Sequence, residues 1–371
     1  MQHSALRPTA TWPLVWVYAV LIVYASLYPF DHWRIQGIAP WTFLTAPLPR
    51  YWTVFDVVSN VLGYAPLGFL LALALLRTRR HWPSVMVATG VATLLSLSME
   101  SLQMFLPVRV PSNVDVALNA GGAFAGAALA RTLEWAGLID RWNRFRDRWF
   151  VPDASGALVL IAVWPMALLF PTPVQFGLGQ VYERLETLVA DVLEDTPWLE
   201  WLPMREVELQ PLLPVSEVLC VAIGLCLPCW LAFGVVRHWQ QRLLAAVVLL
   251  GLGLGASALS AALTYGPAHV WDWLSTEVLA GAVLAAVLAV LLLTRSARVC
   301  WVLALAALVW QLSLLNNASA DAYFALTLQT WEQGRFIRFH GLSQWLGWLW
   351  PYALLVYLLR QLSSAKTSHR A

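Results

Sequence analysis

The chain has 371 residues, of which 60% are hydrophobic and only 12% carry a charge. This composition is typical of a polytopic membrane protein and excludes a soluble globular enzyme or a disordered chain. The formal net charge of +2 shows no basic excess, so we expect no nucleic-acid partner.

About ten apolar stretches are long enough to span a bilayer or nearly so. We therefore predict an all-α fold, a polytopic bundle of about ten transmembrane helices. The first stretch is long for a signal peptide and lacks a small-residue cleavage site, so we expect an uncleaved helix. The predicted spans are Trp12–Pro29, Val57–Leu76, Ser84–Leu106, Val114–Leu133, Ala157–Phe170, Leu213–Val236, Leu243–Thr264, Trp271–Leu293, Val299–Leu315 and Trp345–Leu359.

The basic residues predict the orientation of these helices. With a cytoplasmic N-terminus and alternating helices, most of the 23 Lys and Arg residues fall on the inner side. The positive-inside rule therefore predicts that both termini are cytoplasmic.

The same pattern divides the chain into parts. Residues 12–133 form a first four-helix unit, and residues 134–156 form a basic connector. We expect this connector to lie on the cytoplasmic membrane surface, where anionic lipid head groups attract it. A second transmembrane unit follows over residues 157–360 and includes a long acidic outer loop at 172–212.

A set of polar residues lies near the predicted outer ends of the second, third and fourth spans. Several of them are three or four residues apart, so they share one face of their helix. An ionised carboxylate inside a span costs about 2.5–3.5 kcal/mol unless it is paired. The sequence therefore predicts a shallow polar cavity that binds a substrate. Its candidate residues are Asp56, Asn60, Glu100, Gln103, Arg109, Asp115 and Asn119.

Two alternatives stay open for parts of this set. Asp56 and Asp115 have the positions of ordinary residues at a membrane interface, and Asp115 also suits the first turn of a helix. Glu100 and Arg109 form either a brace that holds two helices together or part of a substrate site.

Three glycines follow the polar set. Gly121, Gly122 and Gly126 have the small-xxx-small spacing that lets helix backbones come into contact within a membrane. We predict that they pack against a neighbouring helix and do not bind a ligand.

These motifs, in this order, resemble the VanZ-like family of membrane proteins over roughly Leu14 to Leu133. The resemblance implies a bacterial inner-membrane protein of the cell envelope, in a family named after a factor associated with low-level resistance to the glycopeptide teicoplanin. It implies no established reaction. The motifs are Asp56-x3-Asn60, Pro66-Leu67-Gly68, Glu100-x2-Gln103, Arg109 and Asp115-x3-Asn119-x-Gly121-Gly122-x3-Gly126.

This chain departs from the family pattern between Arg109 and Asp115, where the family often has an acidic pair. The segment here offers one Asp and an Asn, which argues against a mechanism with two carboxylates or a metal. The sequence also lacks a nucleophile elbow, a phosphate-binding P-loop, a dinucleotide fingerprint and a His pair at helical spacing. We therefore predict no metal and no cofactor.

The second half resembles the first in outline. Ser216–Arg237 aligns with Asp56–Arg77, although most of the polar set is missing from the second segment. Either a degenerate repeat or shared hydrophobicity explains this similarity.

Three functions are compatible with these patterns. The first is a non-enzymatic envelope protein whose partners are membrane lipids and a lipid-linked or amphiphilic molecule at the outer leaflet. The second is an enzyme acting on a lipid head group, in which Glu100 or Asp115 is a general base and Arg109 holds a phosphate. The third is a structural or assembly protein. The sequence does not decide the oligomeric state.

Overall fold

The fold is known from a computed structural model, which describes most of the chain. The described residues are 11–28, 30, 33–35, 37, 39–48, 53–76, 81–107, 109–194, 196–198, 212–318 and 337–367. Helices dominate these residues, and their only β-structure is a single antiparallel bridge between Phe150 and Val236. The predicted all-α fold is confirmed.

The chain divides into two compact units, residues 1–146 and residues 147–371. In the first unit, four long helices follow one another, with a short 3-10 turn at Thr42–Thr45 between the first two. The helices are α1 (Thr11–Leu27), α2 (Val54–Leu76), α3 (His81–Gln103) and α4 (Asn113–Trp135).

The helix α5 (Leu138–Trp149) contains the division between the units, and the second unit continues from there. None of the residues of α5 is buried. The remaining helices are α6 (Ser155–Ala167), α7 (Tyr182–Leu193), α8 (Pro214–Val235), α9 (Trp239–Tyr265), α10 (Thr276–Leu292), α11 (Ala297–Asn316) and α12 (Ile337–Thr367).

Each of the ten predicted spans coincides with one of these helices, and the other two, α5 and α7, are amphipathic. Within the described part of the chain, five helices are long and apolar enough to cross a membrane. They are Asp56–Leu76, Pro83–Gln103, Pro214–Val235, Trp239–Tyr265 and Ala297–Asn316. The helices α1, α6 and α10 are apolar but shorter.

Small side chains recur on the packed faces of α3 and α4 in the first unit. On α3, the buried residues Ser84, Ala88 and Ala92 recur every four positions, and the stripe continues through Ser96 to Glu100. The buried face of α4 has the same character, since Asn119 lies one turn before Gly122. Small residues allow close approach of helix backbones. The polar residues Ser96, Glu100 and Asn119 thus lie on the same helix faces as the small residues that pack inside the unit.

The second unit is built around one helix. Every residue of α8 from Cys220 to Val235 is buried, and α6, α9, α10 and α11 pack around it. Large side chains, among them Trp164, Phe233 and Leu231, fill its core. This core is therefore dominated by apolar bulk.

Candidate functional site

The polar candidates of the first unit lie at or near the end of the unit where α1 and α3 end and α2 and α4 begin. Asp56 belongs to the start of α2. Its Oδ2 accepts hydrogen bonds from the Thr53 backbone N–H at 2.9 Å and from the Thr53 hydroxyl at 2.8 Å. The Thr53 hydroxyl in turn accepts the Asp56 N–H at 3.2 Å. This reciprocal arrangement is a capping box, which satisfies donors that a helix start leaves unpaired.

Arg109 and Gln103 donate hydrogen bonds to the C-terminal end of α1. Arg109 Nη2 donates to the carbonyl oxygens of Tyr28 at 2.7 Å and Ala25 at 3.3 Å, and Gln103 Nε2 donates to Ser26 O at 3.0 Å. These three carbonyls belong to the last turn of α1 and the residue after it. A cation is favourable there because a helix C-terminus carries partial negative charge.

Glu100 is buried, with 5% of its surface exposed, and it serves the start of α4. Its Oε2 accepts the backbone N–H of Ser112 at 2.9 Å, while the Ser112 hydroxyl accepts the N–H of Val114 at 3.2 Å. Glu100 therefore takes the position that the acidic partner of a capping box has in other helices, but it comes from a different helix. Partial positive charge at a helix N-terminus stabilises its carboxylate.

Glu100 and Arg109 do not form the ion pair that the sequence suggested. Among the described residues, the Glu100 carboxylate accepts the Ser112 N–H, whereas the Arg109 guanidinium donates to carbonyls at the end of α1. The Asp115 carboxylate is also near and repels Glu100. The connector therefore holds the ends of two helices through separate hydrogen bonds.

One turn deeper, about 10 Å from the end of α3 at 1.5 Å per residue, lies a second polar group. The Asn119 Nδ2 donates to the Ser96 Oγ at 2.9 Å, and both side chains are buried. Tyr64 of α2 is 6% exposed, and its hydroxyl faces the Ser96 hydroxyl but is not in hydrogen-bonding geometry with it. We call Tyr64, Ser96 and Asn119 the inner polar cluster.

Two atoms of the inner polar cluster lack a hydrogen-bond partner in the described part of the chain. They are the hydroxyl oxygen of Tyr64 and the Oδ1 of Asn119. A buried polar atom without a partner costs about 1–3 kcal/mol. Such atoms are rare in folded proteins, and each one calls for an explanation such as a bound molecule.

The structure thus separates the candidates that the sequence grouped together. Asp56, Gln103, Arg109 and Glu100 bond to helix ends, whereas Asn119 belongs to the inner polar cluster. Asn60 is half-buried on α2, four residues after Asp56.

Sequence reasoning did not select Tyr64 and Ser96 as candidates. Each is a single weakly polar residue inside an apolar span, and the position of Ser96 four residues before Glu100 was its one visible signal.

The three glycines also differ from one another. A Cβ on Gly122 would overlap the backbone of Val61, and one on Gly126 would overlap the backbone of Ala65. A Cβ on Gly121 would meet no described atom within 4 Å. Gly121 therefore does not make the helix contact that we expected for it. Gly68 of α2 makes a contact of this kind, because a Cβ added there would overlap the backbone of Ala123. Consecutive residues of a helix point in different directions, which is why Gly121 and Gly122 differ.

Comparison with protein families finds a match, which lies in the first unit. Residues 12–134 match the model of the VanZ/LLP1 family. The chain has a VanZ-like N-terminal domain. The match covers about a third of the chain and includes every residue of the inner polar cluster. No curated protein and no solved structure matches the chain.

Taken with its apolar helices, the VanZ-like domain makes this a multi-pass membrane protein. Its Glu100 carboxylate accepts a backbone N–H at the start of α4, and its Arg109 guanidinium donates to the end of α1. The inner polar cluster offers one hydroxyl group that can donate and one amide oxygen that accepts. This arrangement suits a neutral polar group better than an anion.

Proposed function

We propose that the VanZ-like domain binds the polar head of a lipid-linked or amphiphilic molecule, in the outer leaflet of a bacterial inner membrane. In this proposal both termini are cytoplasmic, and the protein binds its ligand without transforming it. The observation that carries the proposal is the pair of unpartnered buried atoms, Tyr64 Oη and Asn119 Oδ1, on either side of Ser96.

The chemistry of the two atoms indicates what they would bind. The Tyr64 hydroxyl needs an acceptor or a donor, and Asn119 Oδ1 needs a donor. A hydroxyl or an amide of the ligand meets both needs at once. Neither atom carries a charge, and an amide oxygen repels an anion, so a neutral head group is favoured.

The position of the cluster supports an amphiphile. Tyr64 and Ser96 belong to two helices that are long and apolar enough to cross a membrane, and Ser96 lies about 10 Å from the helix end. A head group that reaches this depth would leave its hydrocarbon chain among the lipid chains that surround the bundle.

The test compares two tyrosines of the same domain. Tyr64→Phe removes the unpartnered hydroxyl, whereas Tyr18→Phe removes a hydroxyl that already donates to Gly63 O at 3.0 Å. Protein and both variants are purified in the same detergent, and the lipids that remain bound are identified by mass spectrometry. We expect one amphiphile class to be enriched with the native protein and with Tyr18→Phe, and reduced at least fivefold with Tyr64→Phe.

Two results would overturn the proposal. One is that the native protein retains only the bulk lipid mixture of the membrane. The other is that Tyr64→Phe, still folded, retains the enriched class as well as the native protein does. Asn119→Ala provides a second variant, for which the same loss of the enriched class is expected.

A structural role is the second candidate, and a different observation favours it. The hydrogen bonds of Asp56, Glu100, Gln103 and Arg109 described here join neighbouring residues or helix ends. If bracing is the whole function of the domain, Arg109→Ala lowers its melting temperature, and no substitution in the inner polar cluster changes the bound lipids.

A further inference from the structure

The second unit contains a cavity that the VanZ-like domain does not explain. Its volume is about 290 Å³. It lies between the segment that follows α6, the C-terminal half of α9 and the turn that precedes α10. Because α9 is one of the helices long enough to cross a membrane, a cavity at its end lies at the level of lipid head groups.

The wall of this cavity is held in a fixed shape. Phe176 has φ 62°, a left-handed conformation that is uncommon for a bulky side chain. It is 2% exposed, and its backbone lies against Gly224 of α8, where a Cβ would overlap the Phe176 carbonyl. Its ring meets Trp273 edge to face at 6.0 Å. Strained backbone that packing holds in place often occurs at ligand sites.

The cavity also presents a polar pair. His269 Nδ1 and Asp272 Oδ2 are 2.6 Å apart, and both side chains are more than half exposed. The bond to Asp272 uses Nδ1 and orients the ring, so Nε2 is the nitrogen left for a ligand. Ser257 and Thr264 of α9 add hydroxyl groups to the lining.

The rest of the lining narrows the class of ligand. Among the aromatic residues of the lining, Tyr265 is 48% exposed and Trp273 is half-buried, whereas Phe170 and Phe176 are buried. Tyr265 and Trp273 therefore offer the aromatic surface of the cavity. No Lys or Arg is among the described residues that line the cavity, so the described lining has no permanent positive charge to bind a phosphate. Its volume of about 290 Å³ lies just below the range of about 300–1,000 Å³ for small-molecule sites, which is room for a single ring.

Flat aromatic faces combined with hydroxyl, imidazole and carboxylate groups match a ring that has apolar C–H faces and hydroxyl groups at its edge. We infer that this cavity binds the neutral hydroxylated ring of a sugar, at the level where the head group of a glycolipid would lie. This site belongs to the second unit and does not depend on the function proposed for the VanZ-like domain.

The experiment uses the full chain in phosphatidylcholine nanodiscs and radiolabelled octyl β-glucoside below its critical micelle concentration. Empty nanodiscs give the background. Octyl phosphocholine, with the same alkyl chain and a charged head group, and free glucose are the competitors. We expect saturable glucoside binding that octyl phosphocholine displaces at least tenfold less well than unlabelled glucoside does.

Two variants of α9 test the location. Ala261 lines the cavity, so Ala261→Phe fills it and is expected to weaken glucoside binding at least tenfold. Leu259→Phe adds similar bulk at an exposed position of the same helix and is expected to bind as the native protein does. Asp272→Asn, at an exposed position, tests the polar pair without disturbing the core and is expected to weaken binding about threefold to tenfold.

The results separate the possible sources of the ring. Displacement by free glucose at a concentration similar to that of unlabelled glucoside assigns the site to the sugar ring alone, and displacement by the glucoside only assigns it to a sugar-headed amphiphile. The inference is overturned if no saturable binding is seen or if octyl phosphocholine competes equally. It is also overturned if Ala261→Phe and Asp272→Asn both bind normally while their melting temperatures show that they are folded.

Discussion

The two units use an asparagine amide in different ways. In the second unit, the Asn316 Oδ1 accepts the N–H groups of Val181 and Tyr182 at 3.1 and 3.0 Å. Its Nδ2 donates to the carbonyls of Leu312 at 2.9 Å and Gly179 at 3.2 Å. In the first unit, the Asn119 Nδ2 bonds to Ser96, while its Oδ1 has no partner among the described residues.

The Asn316 amide therefore stabilises the fold with both its oxygen and its nitrogen, whereas the Asn119 amide uses only its nitrogen among the described residues. Asn316 joins the end of α11 to the start of α7 through four hydrogen bonds to backbone groups. Asn119 is 4% exposed, so it does not reach water at the surface, yet half of its amide is unused. Buried polar atoms without a described partner also occur in the second unit, for example Trp164 Nε1 and Trp230 Nε1. Asn119 differs from these because it and a second such residue, Tyr64, both face Ser96.

The cores of the two units also differ in the side chains that pack inside them. In the second unit, large apolar side chains surround α8, and the buried Gln311 amide donates to the Cys220 carbonyl of α8 at 2.9 Å. In the first unit, Ala and Gly bring helix backbones together, and the polar residues continue the same faces. Four predictions test this contrast, from the largest expected effect to the smallest.

The largest effect is expected at the contact between α2 and α4. A side chain at Gly126 would overlap the backbone of Ala65, and backbone moves less easily than a flexible side chain. Gly126→Leu should destabilise the protein by more than about 3 kcal/mol, measured as loss of folded monodisperse protein and of melting temperature. Gly121→Leu is the matched control and should behave as the native protein. Equal damage from both changes would show that the backbone contact is not decisive.

The next effect compares the two amides directly. Asn316→Ala removes four hydrogen bonds to backbone groups and should cost about 3 kcal/mol, while Asn119→Ala removes one and should cost about 1 kcal/mol. Thermal unfolding followed by tryptophan fluorescence measures both. Asn317→Ala is the control for Asn316, since Asn317 is exposed and its side chain donates to Ser313 O of its own helix end. A larger cost at Asn119 than at Asn316 would contradict the contrast between the two units.

Helix caps should behave alike in the two units because capping is a local interaction. Ser112 caps α4 in the first unit, and Ser275 caps α10 in the second, each accepting one backbone N–H at 3.2 Å. Replacing either by Ala should cost about 1 kcal/mol, read as similar falls in melting temperature. A much larger loss at Ser112 would mean that the Glu100 bond to its N–H depends on the hydroxyl.

The smallest effect has the opposite sign. Tyr64→Phe removes a buried hydroxyl that has no partner in the described residues, so the ligand-free protein should be unchanged or stabilised by up to about 1 kcal/mol. Tyr18→Phe should destabilise by about 1 kcal/mol because its hydroxyl donates to Gly63 O. The measurement is the melting temperature after exchange into a detergent without bacterial lipids. Destabilisation by Tyr64→Phe under these conditions would indicate that its hydroxyl already has a protein partner.

Much of the fold was readable from the sequence, and the candidate site was readable in part. Each predicted span became a helix, because runs of apolar residues and helical periodicity are local properties. Glu100 was recognisable as unusual because a carboxylate inside a span is costly. Its hydrogen bond to Ser112 was not predictable, since nearness in sequence made Arg109 the obvious partner.

The sequence by itself therefore determined the class of the protein, the positions of its helices and the end of the first unit where polar residues gather. Only the tertiary structure decided which of these residues meet. The rotation of α4 directs Gly122 and Asn119 inward and leaves Gly121 outside, and the packing of α2 and α3 brings Tyr64 beside Ser96. Hydropathy depends on the composition of one segment, whereas a hydrogen bond between helices depends on the rotation and depth of two.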